Sequence, residues 1–126
     1  MKYLCLIYEN EQAWAATPQS EADAIMREYF AFGDDYTRSG HVLGGNALQP
    51  THTATTVRVR NGKVGVTDGP FAETKECLAG FYMIEARDLN EAISIASRIP
   101  PAQVGSVEVR PIRPIREQPR TPTKRN

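Results

Sequence analysis

Two segments of this chain, "KYLCLIY" near its start and "CLAGFYMIEA" from Cys77, are apolar on both of their alternating sets of positions. Tyr3, Cys5 and Ile7 share one side of an extended strand and Leu4, Leu6 and Tyr8 the other, and the pattern returns through Phe81, Tyr82, Met83 and Ile84. A strand with one polar face can lie at a surface, but strands like these must be covered on both sides. The chain therefore needs a sheet with something packed on each face.

The helical segments supply one of those covers. Thr17 and Pro18 predict a cap followed by proline at the first helical position, after a polar loop. Ala22, Ile25, Met26, Tyr29, Phe32 and Tyr36 then recur at helical spacing until Gly40. In "DLNEAISIASRIPP", Asp88 and Glu91 form a capping-box pattern, Leu89, Ala92, Ile93, Ala96 and Ile99 line one face, and Pro100 and Pro101 end the helix. Three further strand segments are predicted. "HVLGGNALQP" is interrupted by glycines that mark a bulge or a close approach. "TTVRVRNGKVGVT" is a hairpin, with Val57, Val59, Val64 and Val66 alternating around the Asn61-Gly62 turn. "GSVEVRPI" closes the set with Val107 and Val109 facing in.

This order fits an α+β, ferredoxin-like split βαβ arrangement, with an antiparallel sheet and two helices on one face. A chain of 126 residues is one domain in size, expected over 1–112. The Pro- and Arg-rich stretch 113–126 has little to bury and is expected to be a disordered tail. Two helices leave the second sheet face bare, so a homodimer in which two sheets meet face to face is expected, with a ligand pocket between them.

Lys plus Arg and Asp plus Glu both number 15, so no net field draws in nucleic acid, an anionic membrane or an acidic substrate. A small molecule or another protein is the expected partner. The folded domain also lacks the interleaved basic and aromatic residues of single-strand binders. No apolar run approaches the roughly 20 residues of a membrane span. Cys5 and Cys77 are not a closely spaced pair and the start of the chain lacks a signal-peptide pattern, so a cytoplasmic protein with reduced thiols is expected. No metal-ligand spacing and no phosphate-binding glycine loop occurs, so neither a metal nor a cofactor is expected.

The densest cluster of chemistry is "VTDGPFAETKE". As a turn it is well explained: Asp68 accepts backbone N–H groups, Gly69 allows positive φ, Pro70 fixes the next φ, and Phe71 plugs the turn into the core. As a site, it puts Asp68 or Glu73 at a pocket mouth, where an apolar wall of Phe71 or Tyr82 raises a carboxylate pKa into general-base range. Lys75 or Arg58 would then steady a developing oxyanion. His41 and His52 flank the glycine-rich strand, and His41 is the better acid–base candidate. The candidates are thus Asp68, Glu73 and His41 for catalysis, and Arg58, Phe71, Lys75 and Tyr82 for ligand binding.

The run from "TTVRVRNGKVGVTDGPFAETKE" through "GSVEVRPI" resembles the DGPF proteins, a branch of the YCII-related family in the dimeric α+β barrel superfamily. The likeness extends from Met1 to about Ile112, and the nine-residue signature Asp68 to Glu76 is present without a gap. It implies the ferredoxin-like fold and the homodimer. Relatives are often encoded beside extracytoplasmic-function sigma factors, which implies a regulatory role for a small-molecule- or protein-binding module. Neighbouring families include lactone isomerases, cofactor-free monooxygenases and a dehydrochlorinase, which imply the alternative, a lyase or isomerase acting on a small carbonyl or aromatic compound by acid–base chemistry. The His–Asp pair of some YCII-like relatives has no matching motif here and is not carried over.

Overall fold

The computed structural model of the chain describes residues 1–115. Its elements in order are β1 (Lys2–Glu9), α1 (Glu11–Ala15), α2 (Gln19–Arg38), β2 (Val42–Ala47), β3 (Thr55–Arg60), β4 (Lys63–Asp68), β5 (Cys77–Glu85), α3 (Leu89–Ala96) and β6 (Ser106–Pro111). Four of the strands form one antiparallel sheet in the order β2-β5-β1-β6. β1 and β2 both run antiparallel to β5, so they are parallel to each other with β5 inserted between them. β5 and β6 are likewise split by β1. This double split is the ferredoxin-like α+β fold that the order of elements predicts.

The two doubly apolar segments become the central strands β1 and β5, paired through Tyr3–Ile84, Cys5–Tyr82 and Leu6–Phe81. One face carries the core. Tyr3, Cys5, Ile7 and Ile84 are buried there against Phe32 of α2, Ala92, Ile95 and Ala96 of α3, and Ile99. The Phe32 ring packs against those of Tyr36 and Tyr82 at 4.8 and 5.1 Å. On the opposite face Leu4, Leu6, Tyr8, Phe81 and Met83 remain half-buried, and among the described residues no helix covers them.

The helix ends follow local chemistry, with one departure. The Asp88 carboxylate accepts from the Glu91 N–H at 2.9 Å, as the capping box predicts, while Glu91 Oε1 accepts from the Arg87 N–H at 2.9 Å. Thr17, expected to cap α2, makes no such bond; its hydroxyl donates to the Ala13 carbonyl at 2.8 Å and closes α1 instead. The stretch read as a polar loop contains α1, started by Asn10, whose Oδ1 accepts from the Ala13 N–H at 3.0 Å.

β3 and β4 form a two-stranded sheet of their own rather than joining the main one. Asn61 at φ 53° and Gly62 at φ 75° supply the left-handed pair that a type I′ turn requires. Val57 pairs with Val66 and Val59 with Val64, so the four valines share one face, and each is at least 57% exposed. Arg58 and Arg60 share the other. The expected tail, apart from Arg113 to Ile115, lies outside the described residues. Among the described residues no helix is long and apolar enough to cross a membrane.

Candidate functional site

Alternation along β1 puts Glu9 on the same side as Tyr3, Cys5 and Ile7, so the strand that lays three apolar side chains into the core ends that face with a carboxylate. Around it a cavity of about 800 Å³ opens between the sheet and α2. Its floor is Ile7 and Glu9 of β1, Gly45 and Ala47 of β2, and Ala79, Gly80 and Tyr82 of β5. Met26, Tyr29, Phe30 and Gly33 of α2 make the wall, while Trp14 of α1 and the segment from Leu48 to His52 close the mouth.

Small residues are concentrated along its floor and wall. Ile7 lies opposite Gly80, Gly80 opposite Ala47, and Gly45 opposite Tyr82. Close approach of the strands explains Gly45 and Gly80: a Cβ at Gly45 would stand 2.5 Å from the Phe81 carbonyl oxygen and 2.7 Å from Cδ1 of Tyr82, and one at Gly80 2.8 Å from the Asn46 carbonyl oxygen. The extra residue Ala79 in β5, where pairing jumps from Ile7–Gly80 to Tyr8–Leu78, is a bulge at the cavity floor. Gly33 is more telling. It sits inside the 20-residue α2, where glycine costs about 1 kcal/mol relative to alanine. No atom lies within 4 Å of the position its Cβ would take, so close packing does not require it. What it leaves is room.

Glu9 has no hydrogen-bond or ion-pair partner among the described side chains, and burial pushes its carboxyl above the ordinary carboxylate range. The Tyr29 hydroxyl is raised in turn, first by burial and then by the neighbouring Glu9 and Tyr82, and burial also raises Tyr82. Glu11, at the mouth, is already satisfied. Its carboxylate accepts from the Thr51 hydroxyl at 2.6 Å and the Thr51 N–H at 2.8 Å, which hold its pKa low and tie α1 to the loop after β2. Among the described residues no Lys or Arg lines the cavity.

The raised Glu9 carboxyl has a defined consequence for stability. A carboxyl whose folded pKa exceeds its unfolded value binds protons more readily when folded, so its penalty is absent below the unfolded pKa and grows as pH rises through the folded one. Glu9→Gln is therefore expected to match wild type near pH 4 and to exceed it by about 1 kcal/mol at pH 7, at the low end for an unsatisfied group because Glu9 is half-exposed. Urea unfolding across that pH range checks this. A Glu9→Gln protein less stable than wild type at pH 7 would mean that the carboxylate has a stabilising partner.

The residues singled out in the sequence do not assemble into one site. Tyr82 lies on the cavity floor and His52 at its mouth. Asp68 ends β4, and Glu73 and Lys75 are exposed on the following loop. Phe71, expected to plug the turn into the core, is 82% exposed. The reason is the hairpin's separation from the main sheet, which leaves no core beneath its base; the ring lies instead 5.8 Å from the Arg58 guanidinium. Gly69 holds φ at 112°, a conformation that demands glycine. Its N–H donates to the Ala54 carbonyl at 2.8 Å and its carbonyl accepts from the Thr56 hydroxyl at 2.9 Å. At the other end of the motif the Ser106 hydroxyl donates to Glu76 Oε1 at 2.8 Å, linking the start of β5 to β6. "DGPFAETKE" is thus a brace: it locks the hairpin base and ties β5 to its surroundings.

His41 is at the other end of the sheet. Its Nδ1 lies 2.7 Å from the Ser39 hydroxyl and its Nε2 3.6 Å from Glu91 Oε2, beside a depression of about 280 Å³. Glu91, held below the ordinary carboxylate range first by the Arg87 N–H and then by the Arg87 guanidinium and His41, makes this a clasp between the end of α2 and the start of α3. The buried Cys5 thiol is pushed up to about 11, which removes it as a nucleophile at neutral pH. Among the described residues no group of three or more His, Cys, Asp or Glu could hold a metal ion.

A four-stranded antiparallel sheet with its helices on one face, and an open-mouthed cavity between the sheet and α2, defines a ferredoxin-like α+β protein with a helix-side pocket. The chain belongs to the YCII-related domain family, which it matches over residues 1–116. It is also 40% identical over 114 residues to an uncharacterised protein of Rhizobium meliloti (strain 1021), covering 89% of this chain and 92% of that one.

Proposed function

We propose that this protein binds a small, largely apolar molecule in the cavity between α2 and the sheet, as a homodimer whose protomers meet on their open sheet faces. The observation that carries the reading is Gly33, a helix-interior glycine in the cavity lining with no atom within 4 Å of where its Cβ would stand. A volume of about 800 Å³ falls in the range of small-molecule pockets. The proposed dimer face, with Leu4, Leu6, Tyr8, Phe81 and Met83, lies on the opposite side of the sheet, so each protomer keeps its own pocket. Asp68 and Glu73 stand outside the cavity, which favours binding over lyase or isomerase chemistry at those residues.

Trp14, the single tryptophan of the chain, lines the mouth and reports occupancy directly. Titration with the neutral dye N-phenyl-1-naphthylamine is expected to give saturable energy transfer from Trp14, with one dye bound per chain. Transfer that rises linearly without saturating would count against a defined pocket.

A further inference from the structure

We propose that the ligand is an organic amine, bound as its ammonium ion, with an aromatic or compact apolar body; this rests on the cavity being the binding site. The lining carries the amides Gln12, Asn46 and Gln49 and, at the mouth, His52 beside Glu11, but its carboxylates have no Lys or Arg to match them among the described residues. Glu9 reaches into it with no protein partner among the described side chains, and Asp34 adds a second carboxylate to its lining, while Glu11 is already engaged by Thr51. No Lys or Arg among the described residues is there to neutralise a ligand carboxylate or phosphate.

Each ligand class meets this lining differently. An anion meets like charge in a partly desolvated space, where repulsion is screened less than in water. A neutral molecule fills the apolar volume but leaves Glu9 without a countercharge. An ammonium ion supplies both missing elements, a charged hydrogen-bond donor for Glu9 and a cation to set against the aromatic residues Trp14, Tyr29, Phe30 and Tyr82 of the lining. Tyr29 lines the same cavity as Glu9 and offers a hydroxyl beside the carboxylate for the same ligand head. The two groups therefore put a carboxylate and a hydroxyl on the same cavity lining, an arrangement that orients a ligand with a single cationic head.

The test uses three probes of one shape and different charge: 2-phenylethylamine, 2-phenylethanol and phenylacetate. Each is titrated into the full-length wild type and into Glu9→Gln, following Trp14 emission and heat of binding. In wild type the amine is expected to bind about tenfold or more tighter than the alcohol, and the acid weakest. In Glu9→Gln the preference for the amine should shrink to about twofold while the affinity for the alcohol holds. If the alcohol or the acid binds wild type as tightly as the amine, or if Glu9→Gln keeps the full preference, the amine assignment is overturned although the cavity remains a binding site. It is overturned in the same way if none of the three binds while N-phenyl-1-naphthylamine does. If that dye also fails to bind, the cavity reading falls and the amine assignment falls with it.

Discussion

Replacing Gly33 by phenylalanine is expected to lower affinity for N-phenyl-1-naphthylamine by about 100-fold or more, without lowering the stability of the protein. The space a Cβ would enter there is open to 4 Å and faces the cavity, so a ring at this position occupies the volume a ligand needs. Stability moves the other way. Gly33→Ala, which adds helix propensity and little bulk, should gain about 0.5–1 kcal/mol, chiefly by restricting the unfolded chain. For a domain of this size that corresponds to a rise of about 2–5 °C in Tm. The pair separates two explanations of the glycine. A variant that unfolds when alanine is introduced would show that α2 needs close approach there, whereas a stable alanine variant with intact binding and a stable phenylalanine variant without it shows that the space is what matters.

Leu6→Glu is expected to convert the proposed dimer into single chains of 14.0 kDa in sedimentation equilibrium. Leu6 lies at the middle of the open sheet face, between Phe81 on β5 and Glu108 on β6. A carboxylate brought there by both protomers is desolvated twice and faces its own copy, a burial without partner that costs several kcal/mol. The lone chain already leaves that face half-exposed, so the variant should still fold. Its cavity lies on the other side of the sheet, and dye binding should survive. A wild type that sediments at 14.0 kDa would overturn the dimer, whereas a Leu6→Glu protein that remains dimeric would move the interface elsewhere, with the exposed valine face of the β3–β4 hairpin the next surface to test.

What the sequence disclosed, and what it hid, follow from how each feature is encoded. β1, β5, α2, α3 and the hairpin are written in periodicity and turn residues over consecutive positions, and these emerge where they are expected. α1 has five residues and no period to detect, and its one signal is Asn10 followed by Glu11. The cavity is assembled from short contributions by five elements and a loop, so no linear motif announces it. Two residues did point to it: Glu9, which breaks the apolar alternation of β1, and Gly33, which interrupts a helix that gains nothing locally from a glycine. The density of charge in "DGPFAETKE" drew attention for the opposite reason. Turn, brace and exposed loop concentrate the same residue types as active sites do, and burial separates them; Asp68 and Glu73 are exposed where Glu9 is half-buried.

The order of strands in the sheet also sets the order in which the molecule can be built. β1 is the first strand synthesised, yet its neighbours β5 and β6 are the last two, some 70 to 100 positions further on. Until those are made, neither edge of β1 has its partner strand, and loop closure over that span slows the search for the native sheet. The β3–β4 hairpin needs only its own turn and forms on the microsecond scale of an isolated hairpin. On the ribosome the chain therefore acquires its outlying piece early and its centre at the end, and the hazard to its yield in cells is aggregation through an unpaired first strand.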